Sequence, residues 1–112
     1  MKERSSELYL EDIINAINRI FEYTKNLSYN KFCEDSKTFD AVVRNYGIIG
    51  EAAKNISDEL KSTHPEIPWK EMAGMRDKVI HAYFGVDMDI VWETSKNMLP
   101  ELKCILEKIS KK

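Results

Sequence analysis

Between Gly74 and Gly85 the chain reads MRDKVIHAYF, and four of those ten residues carry side chains that do chemistry. Arg76 is a permanent cation with a planar fork of donors, and Asp77 is a carboxylate. His81 is an imidazole that titrates near neutral pH, and Tyr83 is a phenol. On a helix turning about 100° per residue, Arg76 and Tyr83 stand about 20° apart, with Val79 and Ile80 on the same face. Asp77 and His81 are four apart and adjoin, so the carboxylate can accept a hydrogen bond from the imidazole. Arg76 falls in the first turn, beside backbone N–H groups that a helix start leaves free for an anion. Such a grouping suits a phosphate.

One reaction open to such a grouping is RNA cleavage without a metal, beside plain anion binding. Removing the proton of a 2′-hydroxyl lets that oxygen attack the adjacent phosphorus and leaves a cyclic phosphate. His81 is the residue to move the proton, Arg76 stabilises charge on the phosphoryl oxygens, and Asp77 supports His81 by fixing its tautomer and raising its pKa. The same side chains also have a plain structural reading as ion pairs, a helix cap and a core aromatic. An arginine and a histidine five positions apart do not decide between the two. The puzzle is Arg76 itself: a guanidinium set among Met75, Val79, Ile80, Tyr83 and Phe84 is costly unless something meets it.

Three long apolar stripes must hold this short helix in place. Leu10, Ile13, Ile14, Ile17, Ile20, Phe21 and Leu27 recur at steps of three and four behind candidate caps Ser5 and Ser6. Phe39, Val42, Val43, Tyr46, Ile49, Ala53, Ile56 and Leu60 form the second, starting at Ser36 or Thr38. Val86, Ile90, Val91, Met98, Leu99, Leu102, Ile105, Leu106 and Ile109 form the third, opened by Asp87 or Asp89. No segment alternates with period two for long enough to predict a strand. SYNKFCEDSKT is a polar connection with room for a short helical turn, and PWKEM predicts another beginning at Pro68. Gly74 ends that turn and Gly85 ends the motif helix. Pro100 lacks an amide hydrogen and should kink the last helix near Asn97 or Met98 rather than end it. The expected fold is all-α: one domain over 1–112, an antiparallel bundle of three long helices plus short ones.

Composition narrows the function classes. The chain has 112 residues, 17 basic and 19 acidic, for a net charge of −2, so it has no overall pull toward nucleic acid; binding of that kind needs a local patch. MKERSSELYLEDII has no long apolar core and predicts no signal peptide, and no stretch approaches a membrane span. Cys33 and Cys104 lack metal-ligand spacing and read as free thiols of a cytoplasmic protein, with neither metal nor cofactor implied.

The segment GMRDKVIHAYFGVDMDIVW resembles the signature of the HepT-like ribonuclease family, within the HEPN superfamily. That signature is an arginine, four to six residues, a histidine and, in this branch, a tyrosine two beyond, matching Arg76, His81 and Tyr83. The resemblance runs from residue 40 to 92, through IGEAAK and HPEIPW, and LEDIINAINRIFEYT extends it toward the start. It implies a homodimer with two Arg/His motifs facing one cleft. It further implies a metal-independent endoribonuclease acting as the toxin of a toxin–antitoxin pair. The implied antitoxin is an MNT-type nucleotidyltransferase that transfers AMP to Tyr83, placing phosphate beside Arg76 and His81 and so excluding RNA. Many members carry Asn after the arginine, whereas this chain has Asp77, a carboxylate that repels a bound phosphate. The alternative is a non-catalytic helical partner of a nucleotidyltransferase that binds nucleotide or substrate in the same basic pocket.

Other residues stand out less. Arg44, Glu51 and Asn55 make a polar stripe with Ile48 on the second helix, either an ion-paired solvent face or a dimer or antitoxin surface. Gly47 and Gly50 weaken that helix and mark a close approach by another. His64 reads as a cation at a helix C-terminus. Trp69 and Trp92 read as packing residues rather than base-stacking ones.

Overall fold

A computed structural model describes residues 5–78 and 88–110, and its first four helices start where the sequence supplies a cap. Ser5 is extended and its Oγ accepts from the Leu8 N–H, opening α1 (Ser6–Thr24). Ser28 does the same for α2 (Tyr29–Glu34), the short turn expected in the polar connection. Asp35 opens α3 (Ser36–Asn55), accepting from both the backbone N–H and the hydroxyl of Thr38 at 3.0 and 2.7 Å. Those bonds hold the Asp35 carboxyl below its ordinary pKa.

The second stripe does not continue as one helix to Leu60. Asn55 is the last residue of α3, Ile56 turns extended, and Ser57 caps a separate α4 (Asp58–Thr63). Ile56 stays buried across the break, so the apolar period survives while the backbone does not. Pro68 then opens α5 (Trp69–Ala73), as PWKEM predicts, and Gly74 ends it. The next helix, α6, is described over 75–78.

The last stripe runs through α7 (Met88–Glu93), a π-helical turn (Thr94–Met98) and α8 (Leu99–Ser110). Pro100 has no N–H to give the carbonyl four residues back, and its ring crowds that carbonyl. Just before it, the Leu99 N–H reaches five residues back to Thr94. The disturbance expected near Asn97 or Met98 is therefore a widened turn within a continuing helix.

These pieces form an all-α bundle. The Ser57 N–H donates to Ser6 Oγ at 3.1 Å, which sets the end of α3 beside the start of α1 and makes the two antiparallel. Lys96 Nζ donates to the Thr24 carbonyl at 3.1 Å, and Trp92 packs on Tyr29 and Phe32, so the last long helix begins where α1 ends. Ile13, Ile17, Ile20, Val42, Ile49, Leu99 and Leu106 fill the space between, each fully buried. Burying each contributes roughly 1.5–3 kcal/mol against leaving it exposed. The described residues extend 41 × 25 × 24 Å, about two helix diameters across each short axis. No described helix is long and apolar enough to cross a membrane.

Candidate functional site

The corner between α5 and α6 carries Arg76, and α3 provides the surface it rests on. The Lys78 N–H donates to the Gly74 carbonyl at 3.1 Å, closing the first turn of α6, and Met75 is buried beneath it. A Cβ added at Gly50 would lie 3.2 Å from the Ala73 carbonyl oxygen and from Arg76 Cβ, and 3.3 Å from Arg76 N. The backbone of α6 thus sits directly on α3. At Gly47 an added Cβ would meet Arg76 Cγ at 3.9 Å and Cδ at 4.0 Å, so the aliphatic stem lies along the bare helix there. The close approach expected at these glycines is the seat of Arg76.

That seat resolves the puzzle of a cation among apolar residues. The stem is packed while the Arg76 side chain remains 52% exposed, leaving the guanidinium in water. Its only described ion pair is with the neighbouring Asp77, Nη1 to Oδ1 at 3.7 Å, with Asp77 75% exposed. A pair so open contributes at most about 1 kcal/mol and leaves most of the donor fork available. Val79, Ile80, His81, Tyr83, Phe84, Gly85, Val86 and Asp87 lie outside the described residues, and with them the Asp77–His81 pairing.

Beneath the corner is a small cavity of about 210 Å³ lined by Tyr46, Glu71, Gly74, Met75, Lys78, Thr94 and Met98. Its wall is held by a buried chain of hydroxyls. Ser95 Oγ donates to the Val91 carbonyl at 2.8 Å, so its single proton is committed and the Tyr46 hydroxyl donates to Ser95 Oγ at 2.7 Å. Burial pushes the Tyr46 phenol above its ordinary pKa, against a lowering by the Ser95 bond, so it stays neutral. The loop leading to α5 is pinned as well: Trp69 Nε1 donates to the His64 carbonyl at 3.0 Å, and His64 is the C-cap of α4. Trp69 is buried and Trp92 packs among aromatics, so both are packing residues as expected.

Arg44, Glu51 and Asn55 do form an exposed stripe on α3. It is not laced with ion pairs: Asn55 donates to the Glu51 carbonyl, and Arg44 meets no carboxylate among the described residues. Arg44 instead lines a cavity with Arg19 and Asn45, residues that no sequence motif singles out. Cys33 and Cys104 are free and exposed. Among the described residues no group of three or more His, Cys, Asp or Glu could hold a metal ion.

Comparison with known proteins places the chain in a family. The model of the HepT-like ribonucleases matches residues 13–109. A Thermococcus cleftensis protein named probable ribonuclease HepT is 53% identical over 97% of this chain and 99% of its own length. A Methanocaldococcus jannaschii protein named as a candidate RNase is 46% identical, covering 99% of this chain and 92% of its own. Another so named, from Caldanaerobacter subterraneus, is 44% identical over 93% of each. No solved structure matches. With the family model spanning α1 to α8 and whole-length relatives at this identity, the chain belongs to the HepT-like ribonuclease family.

Proposed function

We propose that this protein is a metal-independent endoribonuclease, the toxin of a toxin–antitoxin pair, working as a homodimer with Arg76 and His81 at a shared cleft. The observation that carries the reading is the seat of Arg76, its stem fixed on Gly47 and its guanidinium open to solvent at the start of α6. A cation with no strong partner and a fixed stem is ready for the charge that builds on a phosphate under attack. His81 takes the proton from a 2′-hydroxyl, the new O–P bond forms, and the 5′-oxygen leaves as a hydroxyl after receiving a proton. Tyr83 is the acceptor of AMP from a nucleotidyltransferase antitoxin, and the added phosphates occupy Arg76 and His81 in place of RNA.

The test is cleavage of RNA by purified protein in excess EDTA, with His81→Ala beside it. The expected result is cleavage by the wild type and its loss in a variant that melts at the same temperature. Cleavage surviving in His81→Ala, with contaminating nuclease excluded, overturns the assignment. Asp77, 3.7 Å from Arg76, favours a second reading in which the same cation binds nucleotide without breaking a bond. That reading predicts intact RNA, binding of ATP or AMP by calorimetry, and modification of Tyr83 by a co-expressed nucleotidyltransferase, seen as added AMP mass.

A further inference from the structure

We infer that the cavity between α1 and α3 is a second nucleotide subsite, holding a nucleotide of single-stranded RNA adjacent to the phosphate at Arg76. The inference rests on the reading of RNA as substrate. The cavity is about 520 Å³, within the range of small-ligand sites, and is lined by Arg19 and Tyr23 of α1 and by Asp40, Arg44, Asn45 and Ile48 of α3.

Its charge is the first argument. The chain carries 17 basic residues but only four arginines; Arg19 of α1 and Arg44 of α3 line this cavity, and the stem of Arg76 rests on α3 at Gly47. Arginine is the cation whose fork matches phosphate oxygens two at a time. Neither Arg19 nor Arg44 pairs with a carboxylate among the described residues. On a chain of net charge −2, attraction to RNA has to come from a local concentration of this kind. Asp40 is the counterweight: its carboxylate repels phosphate from its own side, and two guanidiniums against it leave the cavity cationic.

Continuity is the second. The stem of Arg76 lies on Gly47, and Arg44, three residues earlier, projects about 60° further round α3. The cavity opens next to Arg44 on the side away from Arg76, where Asn45 and Ile48 line it. A strand whose phosphate sits at Arg76 crosses Arg44 and arrives at Arg19 and Tyr23.

The remaining lining suits a base and sugar. Tyr23 is 40% exposed, one of two large apolar side chains so open among the described residues, and offers a ring face on which any base can stack. Asn45 is only 4% exposed; its Nδ2 donates to the Ala41 carbonyl at 2.8 Å, and no protein donor reaches its Oδ1. A buried acceptor left unanswered is costly, and Oδ1, enclosed as it stands, meets an amino group of a base or a hydroxyl of a sugar only when the Asn45 side chain turns toward the cavity. A second copy of the chain is the competing occupant. Two arginines without a carboxylate partner among the described residues fit a polyanion better than an apolar dimer seam.

The experiment is a fluorescence-anisotropy titration of 2′-O-methylated single-stranded RNA, which has no nucleophile and stays intact. Wild type is compared with Arg19→Ala/Arg44→Ala, Tyr23→Ala and Arg44→Lys, all changes of exposed side chains. The double variant is expected to bind about ten-fold or more weakly, with a salt slope shallower by about 0.7 for each arginine removed. Arg44→Lys is expected to recover part of the affinity, and Tyr23→Ala to weaken binding several-fold. On cleavable RNA the same variants raise KM, with kcat changed less than about three-fold. Unchanged affinity in all three, with wild type binding and cutting RNA, overturns the subsite and leaves the ribonuclease reading standing. Loss of dimer by sedimentation with RNA affinity unchanged makes the cavity a protein interface and equally overturns it. A wild type that neither binds nor cuts RNA removes both readings.

Discussion

Arg76 is held by what α3 leaves out. A side chain at position 50 would press on the backbone of the α5–α6 corner, whereas one at position 47 would only touch the flexible stem of the arginine. Gly50→Ala and Gly47→Ala are thus the same chemical change with different expected outcomes. Alanine raises helix propensity by about 1 kcal/mol at either position. At 47 that gain is kept: Gly47→Ala is expected to melt a few degrees higher and to cut RNA at near the wild-type rate. At 50, contacts of 3.2 Å with Ala73 and Arg76 force α6 outward by a few tenths of an ångström. Stability then stays near the wild-type value while Arg76 is displaced, and kcat falls about ten-fold, since small misplacements at a reacting phosphate are expensive. Thermal melts and single-turnover cleavage of both variants check this. Equal activity in the two would mean that the glycines serve packing alone.

At the scale of the element, the wall below α6 depends on the direction of two hydroxyl bonds. Ser95→Ala leaves the buried Tyr46 hydroxyl with no acceptor and is expected to destabilise the bundle by about 1–3 kcal/mol. Tyr46→Phe leaves Ser95 still donating to Val91, strands no donor, and is expected to cost less than about 1 kcal/mol. Urea unfolding of the two variants tests the asymmetry; matching losses would reverse the assigned donor. Much of this architecture is legible in the sequence because local rules write it. The stripes of α1 and α3, the turn at Pro68 and the disturbance before Pro100 all follow from spacing or from a missing amide. The break at Ile56 and Ser57 is hidden by the apolar period, which continues to Leu60, although Ser57 followed by Asp58 and Glu59 carries the cap signal. Ser95 lies in the polar run ETSKN, and only the packing of α3 against the π turn brings Tyr46 to it. The α1–α3 cavity could not be read at all, since Arg19 and Arg44 are brought together only by the antiparallel pairing of their helices.

On the scale of the whole molecule, one chain brings to this corner the Arg76 guanidinium, partly answered by Asp77, a modest charge for a phosphate under attack. Two chains facing one cleft would bring two such cations and two imidazoles to the same phosphodiester, and the field there would roughly double. A shared cleft has a kinetic signature that a self-sufficient monomer lacks. Specific activity is expected to fall on dilution in step with the dimer fraction, because monomers lack half of the site. The measurement pairs cleavage rates with mass photometry or sedimentation across the same concentration range, at fixed salt, since arginine–phosphate contacts weaken as salt rises. Addition of Arg76→Ala chains is then expected to depress the rate of dilute wild type by drawing it into mixed dimers, whereas an inert crowding protein is expected to leave it unchanged. Specific activity that stays constant well below the dimer dissociation constant would show that a single copy of Arg76 and His81 suffices, and the seam between subunits would lose its part in the chemistry.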